Sequence, residues 1–98
     1  MAAKIVWTNN AVKDLENIKT YLQGSWPEKV LLSFLNELIN KLKLIEASPE
    51  IGRASMKFPS RRRLVITKHN LLIYSLRNND IVIEAIFDTR QDDRKLKF

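Results

Sequence analysis

Helical periodicity organises the first half of the chain, after a short apolar run, KIVW, at residues 4–7 that predicts a first strand. Apolar residues then recur at i, i+4, i+7 and i+11, the spacing of one helix stripe: Ala11, Leu15, Ile18 and Leu22. Thr8 and Asn9 are suitable N-cap residues for this helix, and Gly24 is expected to close it.

A second helix is predicted to follow at once. Ser25 and Glu28 have the S-x-x-E spacing of a capping box, and Pro27 falls in the first turn, where a missing N–H costs little. The apolar residues of this helix form a broad stripe: Leu31, Phe34, Leu35, Leu38, Leu42 and Ile45. The breadth indicates packing on both the neighbouring helix and a sheet, and the helix is expected to end at Ser48 and Pro49.

The second half changes to the period of β-strands. Its β-branched and aromatic runs are separated by turn-forming residues and lie at residues 64–66, 71–76 and 81–87. This pattern predicts a meander of antiparallel strands. In the last strand one face is formed by Ile81, Ile83, Ala85 and Phe87, and the other by Val82, Glu84, Ile86 and Asp88. We expect the first face to meet the helices and the second, half-polar face to be accessible.

These elements predict an α+β fold with the order β-α-α-β-β-β, in which a helical hairpin packs on one face of a small twisted, mainly antiparallel sheet. At 98 residues the chain has room for one core, so residues 1–98 are interpreted as a single domain. Residues 88–98 form a charged tail, expected either to fold as a short terminal helix or to order only against a partner.

The charge of the chain is segregated. Its net charge is +6, yet the first 52 residues carry six lysines and six acids and are neutral. The whole excess, and every arginine, lies in residues 53–98. This asymmetry predicts an anionic partner for the C-terminal half, either nucleic acid or an acidic protein segment, against the alternative of a basic surface without a partner.

Composition excludes several classes of site. Cysteine is absent, so disulfides, thiol nucleophiles and thiolate metal sites are ruled out. One histidine cannot supply the usual zinc cluster, and we expect no metal and no other cofactor. The apolar stretch of the second helix is interrupted by charges, and the N-terminus lacks the pattern of a signal peptide. We therefore expect no membrane association and a cytoplasmic location.

Three consecutive arginines precede the first strand of the meander. Strand alternation places Arg61 and Arg63 on one face and Arg62 on the other. Arg63 is expected on the accessible face, as a clamp for a carboxylate or phosphate or as a charge that protects a sheet edge from aggregation. His69 could act as a general base but is typical of a polar turn, and Glu84 more often forms a cross-strand ion pair than serves as a base.

The order of these motifs resembles the RelE/ParE superfamily of type II toxin–antitoxin toxins. The resemblance rests on "AVKDLENIKTYL" after the first strand, on "FLNELINKLKLIEASPEIGR" with its terminal P-x-x-G, on the arginine run entering "RLVI", and on "HNLLIYSLRNNDIVIEAIFDTRQD". It covers nearly the whole chain.

The resemblance implies a small toxin that is neutralised by an antitoxin. We expect this partner to contribute an acidic, amphipathic segment that buries apolar residues against the helical hairpin while its carboxylates meet the arginines. Operator DNA would be bound only through the antitoxin. RelE-like members cut mRNA on the ribosome, whereas ParE-like members poison DNA gyrase.

Compared residue by residue, the chain lacks two of the three groups that RelE-like RNases are expected to carry. The position before LLIY, where such RNases carry an arginine, is Asn70, whereas the arginine after the last strand is present as Arg90. The C-terminal aromatic position falls near Leu96, and the nearby Phe98 has no hydroxyl. The sequence therefore favours a ParE-like gyrase inhibitor without a hydrolytic site.

Two alternatives remain open. One is a ribosome-dependent mRNA endonuclease that uses Arg63, His69 and Arg90, and the other is a degenerate toxin that acts only as an antitoxin-binding regulator. The residues expected to bind the target or the antitoxin are Arg61, Arg63, Lys68, Arg77, Arg90 and Arg94.

Overall fold

Two helices lie against a five-stranded sheet in residues 4–90, the part of the chain that the computed structural model describes. The elements are β1 (Lys4–Trp7), α1 (Asn9–Ser25), α2 (Glu28–Ala47), β2 (Arg53–Ala54), β3 (Arg61–Thr67), β4 (Asn70–Arg77) and β5 (Asp80–Asp88). The strand order is β1-β5-β4-β3-β2, with β1 parallel to β5 and the other pairs antiparallel. The predicted α+β fold is confirmed. The two-residue strand β2 was missed because it is too short to show alternation.

Thr8 begins α1 and also ties it to the sheet. Its Oγ1 accepts a hydrogen bond from Ala11 N and donates one to the carbonyl oxygen of Ile83, each at 3.0 Å. The predicted N-cap is therefore confirmed.

The connection between the helices differs from the prediction. Gly24 lies inside α1, which continues to Ser25 and is capped by Trp26 in an extended conformation. Because Trp26 precedes Pro27, its backbone is steered away from the helical region, and the proline rather than the glycine ends the helix. The capping box is also wrong, since Pro27 is the N-cap of α2 and no side chain caps it.

The main core lies between the helices and one face of the sheet. The helices contribute the predicted residues Ala11, Ile18, Leu22, Leu31, Phe34, Leu38 and Ile45, all buried. The strands contribute Ile66, Leu72, Tyr74, Ile81, Ile83 and Ile86. Neither described helix combines the length and the hydropathy needed to cross a membrane.

A β-bulge at Glu84 changes the faces of β5. Ile73 pairs with Ala85 and Tyr74 with Ile83, so Glu84 has no register partner. One extra residue shifts the alternation, and side chains after the bulge point to the opposite face from the one predicted.

The shift has a consequence for both faces. Ile86 joins the core under the helices, whereas Ala85 and Phe87 form a second buried cluster with Ile73. The expectations that Ala85 and Phe87 meet the helices, and that the other face is broadly accessible, were wrong for this central part of the sheet.

The P-x-x-G loop after α2 is held by two side chains from the sheet. The buried Tyr74 hydroxyl donates to the Pro49 carbonyl at 2.7 Å and accepts from Gly52 N at 2.8 Å. Arg62 Nη1 donates to the carbonyl oxygens of Gly52 (2.8 Å) and Glu50 (3.2 Å). Burial raises the pKa of Tyr74, although the Gly52 N–H and the Arg62 charge oppose it, so the phenol keeps its proton to donate.

Candidate functional site

The register of β3 divides the three arginines as the sequence predicts. Arg62 turns toward the P-x-x-G loop, whereas Arg61 and Arg63 lie on the face away from the helices, beside Ser75 and Ile73 of β4. Arg62 is therefore committed to holding the loop, whereas Arg61 and Arg63 lie half-buried on the opposite face of the sheet.

The bulge residue Glu84 anchors a polar cluster on this same face. Its Oε2 accepts hydrogen bonds from Ser75 Oγ at 2.7 Å and from Arg77 Nη2 at 3.0 Å. The predicted cross-strand ion pair is thus present, and the Arg77 side chain remains 65% exposed. We call Arg61, Arg63, Ser75, Arg77 and Glu84 the sheet-face cluster. With three cations and one carboxylate, it presents positive charge beside the buried apolar cluster.

A second polar cluster lies where β5 ends. Arg90 forms a forked ion pair with the buried Asp88, with Nε 3.0 Å from Oδ1 and Nη2 2.7 Å from Oδ2. Asn70 Nδ2 donates to Asp88 Oδ2 at 3.1 Å, and Thr67 Oγ1 donates to Asn70 Oδ1 at 2.7 Å. We call Thr67, Asn70, Asp88 and Arg90 the hairpin-end cluster. Asn70 is hydrogen-bonded within this cluster. Asp88 lies at the centre of the cluster, although the sequence analysis did not identify it as a site residue.

Aromatic rings cover the Arg90 guanidinium. Its Cζ lies 5.1 Å from the ring centroid of Trp26 and 5.7 Å from that of Tyr21. The hydrogen bonds with Asp88 raise the pKa of Arg90, and its side chain is only 16% exposed. Arg90 therefore joins the end of β5 to the helical hairpin by an ion pair and by cation–π contacts.

The proposed catalytic trio is not brought together. His69 and Arg90 line one pocket of about 510 Å³, which Lys29 and Lys68 also border and in which Phe34 supplies apolar surface. Arg63 lines a different groove. Arg94 lies outside the described residues. In residues 4–90 no group of three histidine or carboxylate side chains is arranged to hold a metal ion.

Comparison with known proteins identifies the family. A family model described as the ParE toxin of the type II toxin–antitoxin system parDE matches residues 5–93. The chain belongs to the ParE toxin family. Because type II toxins act with antitoxins, its partner is a cognate antitoxin.

Solved structures agree with this family fold. A chain of the chromosomal ParDE system from P. aeruginosa is 24% identical, with a TM-score of 0.70 over 89% of this toxin and 96% of that chain. The YoeB dimer from Staphylococcus aureus is 18% identical, with a TM-score of 0.62 over 89% and 97%. The YoeB/ParE toxin from Agrobacterium tumefaciens is 13% identical, with a TM-score of 0.64 over 87% and 96%. No curated protein sequence matches the chain.

Acid should destabilise the fold of the toxin by protonating Asp88 in the hairpin-end cluster. Burial alone would raise the pKa of Asp88, but the hydrogen bonds and charge of Arg90 and the amide of Asn70 lower the pKa below 3.8. A lowered native pKa stabilises the fold above the unfolded value, and this contribution is lost as pH falls through the native value.

The free energy of unfolding of the wild type should therefore approach that of Asp88→Asn as pH falls from 7 to below 3.8. Urea denaturation at several pH values measures the difference. Glu16→Gln is the control, because the Glu16 side chain is 63% exposed. A difference between wild type and Asp88→Asn that stays constant with pH would contradict the assignment.

Proposed function

We propose that this toxin arrests growth by binding and poisoning DNA gyrase in the cytoplasm, with no hydrolytic site of its own, and that an acidic antitoxin neutralises it. The observation that carries the proposal is the commitment of Arg90 to Asp88. RNA cleavage requires cations that are free to stabilise a phosphorane. Arg90 has its fork occupied by a carboxylate and its faces covered by Trp26 and Tyr21.

Asn70 supports the same conclusion. It occupies the position before LLIY, and its amide bridges Thr67 and Asp88 inside the hairpin-end cluster. A neutral, buried amide whose oxygen and nitrogen are both hydrogen-bonded within the protein cannot stabilise the negative charge of a scissile phosphate. The local chemistry at residues 70 and 90 is therefore structural, which suits a toxin that acts by binding.

The sheet-face cluster supplies the proposed contact surface. Arg77 is exposed, and Arg61 and Arg63 lie on the same face. Guanidinium groups form forked hydrogen bonds with carboxylates and phosphates, so this surface can bind an acidic protein segment. Lys68 extends the positive surface at the other end of the β3–β4 hairpin, and Arg94 stays a prediction.

One observation favours the alternative of a ribosome-dependent mRNA endonuclease. Glu84 sits on a bulge, with its carboxylate bound to Ser75 and Arg77 and Arg61 nearby on the same face. Bulges often re-aim side chains beside active sites, and a carboxylate among cations can serve as a general base. In that case the base would be Glu84 rather than His69.

Purified toxin should inhibit gyrase supercoiling and accumulate cleaved DNA. Glu84→Gln keeps a side-chain oxygen that can accept from Ser75 and Arg77, so the positions of the contact arginines should be preserved and this activity retained. Gyrase inhibition is expected to depend on contact between the toxin and gyrase rather than on proton transfer by Glu84. Primer extension on translated mRNA tests the alternative in the same samples, since removal of a general base lowers cleavage about 10²–10⁴-fold.

Untouched supercoiling at high toxin concentration, together with codon-positioned cuts that Glu84→Gln abolishes, would overturn the gyrase proposal. Growth arrest on induction of the wild type excludes the degenerate regulator.

A further inference from the structure

The loop between β2 and β3, residues 55–60, carries apolar side chains at its tip. Met56 is 99% exposed and Phe58 is 38% exposed, and Pro59 follows them. Connections between strands are usually built from glycine and short polar residues. Met56 makes almost no contact with the rest of the described chain, so it contributes nothing to the core and is available to a partner.

Hydrogen bonds at the base of the β2–β3 loop hold this tip in place. The N–H of the buried Ser55 donates to the carbonyl oxygen of Arg61 at 2.8 Å, and its Oγ accepts from Phe58 N at 3.0 Å. Arg61 N donates to the carbonyl oxygen of Phe58 at 2.8 Å. The Phe58 ring also lies 5.0 Å from Arg61 Cζ and 5.8 Å from Lys57 Nζ. A loop fixed in this way presents Met56 with little ordering cost on binding.

Positive charge surrounds the tip. Residues 53–79 contain no aspartate or glutamate and seven cations: Arg53, Lys57, Arg61, Arg62, Arg63, Lys68 and Arg77. Arg53 and Lys57, which flank Met56 in the sequence, are exposed. Within residues 4–90 neither of them forms an ion pair with a carboxylate. Their charge is therefore available to an anionic partner.

The sheet register places a further cation beside the loop. Arg61, the first residue of β3, pairs with Ser75. Arg77 lies two residues further along β4, at the end of the sheet from which the loop emerges, and its side chain is 65% exposed. Cations thus lie on several sides of Met56 rather than at one point. This spread suits a partner with closely repeated negative charges, such as the phosphates of duplex DNA.

We propose that the β2–β3 loop inserts Met56 into the minor groove of duplex DNA, the substrate on which gyrase acts, while Arg53 and Lys57 contact the phosphates on either side. Methionine is one of the apolar side chains that proteins insert between base pairs to kink a duplex. The inference rests on the proposed function, because it names the DNA contact through which the toxin would hold a cleaved complex. The contact reads no base sequence, so it is distinct from the operator recognition expected of the antitoxin.

Two other partners match only part of this surface. An acidic protein segment would satisfy the cations but would give Met56 no apolar contact. An anionic membrane would accept both, but one methionine and a half-exposed Phe58 bury less apolar surface than a single fatty acyl chain, which itself gives only marginal membrane binding. Duplex DNA accommodates both the wedge and the flanking charges.

The probe is a mixed-sequence duplex of about 20 base pairs with a dye at each end, titrated with the whole toxin at several salt concentrations. We expect a dissociation constant of about 10⁻⁴ M or tighter from anisotropy, weakening as salt rises. Energy transfer between the dyes should increase on binding, because an inserted side chain kinks the duplex by about 20–90° and brings its ends together.

Two variants separate the wedge from the phosphate contact. Met56→Ser should lower the affinity about tenfold and abolish the increase in energy transfer, while the slope of log K against log salt stays unchanged. Lys57→Gln should instead reduce this slope by about one, because one phosphate contact is lost. The matched controls are Val12→Ser and Lys13→Gln, which change exposed residues of α1 and should leave affinity and slope unaltered.

The inference is overturned if the duplex does not bind, or if Met56→Ser binds and bends it as the wild type does. Tighter binding to vesicles of anionic phospholipid or to polyglutamate than to the duplex would also overturn it, in favour of a lipid or a protein partner. A gyrase assay on the same preparations keeps the result separate from the proposed function. Accumulation of cleaved DNA without direct duplex binding rejects only the Met56 contact, and Met56-dependent duplex binding without gyrase inhibition rejects only the gyrase proposal.

Discussion

Replacing Arg90 with methionine should lower the free energy of unfolding by about 3–5 kcal/mol. The Asp88 side chain is fully buried, and among residues 4–90 only Arg90 forms an ion pair with it. Removing one partner of a buried pair leaves an uncompensated charge, and the amide of Asn70 cannot replace it. The variant also loses the cation that lies over Tyr21 and Trp26.

Urea denaturation at neutral pH measures this loss, and Arg77→Met is the matched control. Both arginines pair with a carboxylate, but the Arg77 side chain is 65% exposed and that of Arg90 is 16% exposed. Water screens the exposed Arg77 end of its pair, and Ser75 still donates to the partly buried Glu84 carboxylate, so the control should lose less than about 1 kcal/mol.

The double variant Asp88→Asn/Arg90→Met should regain part of the stability, because it removes the orphaned charge. Equal losses of unfolding free energy in Arg90→Met and Arg77→Met would show that burial does not increase the contribution of the Asp88–Arg90 ion pair to stability.

Replacing Gly52 with alanine should lower the free energy of unfolding by about 2–3 kcal/mol, since overpacking a filled site forces its neighbours to move. A Cβ at this position would lie 2.6 Å from Tyr74 Oη and 2.7 Å from Tyr74 Cε1. The tyrosine cannot retreat easily, because it is buried and its hydroxyl is held by Pro49.

Gly24→Ala is the control for this second prediction. A Cβ at Gly24 meets nothing within 4 Å, and the residue lies inside α1. Alanine should therefore stabilise the toxin by about 0.5–1 kcal/mol. Thermal or urea unfolding of the two variants should give opposite signs. A Gly52→Ala variant as stable as wild type would mean that the P-x-x-G loop does not depend on close contact with Tyr74.

The candidate residues illustrate how far a single sequence reaches into function. Alternation correctly divided Arg61 and Arg63 from Arg62, because the faces of a strand follow from counting residues. The sequence singled out Asn70 as a departure from the RNase pattern, but its bond with Asp88 depends on the register between β4 and β5. His69 and Arg63 were grouped by chemistry alone, and the fold places them beside different cavities.

The sequence by itself determined the two helices, the three-stranded meander, the Thr8 cap and the family of the toxin. These follow from local periodicity, from single-residue preferences and from motif order. Only the tertiary structure decided the bulge at Glu84 and the burial of Arg90 against Asp88. Those features depend on which distant residues lie side by side. Pairing register and burial are set by packing the whole sheet against the helices, and no local pattern records them.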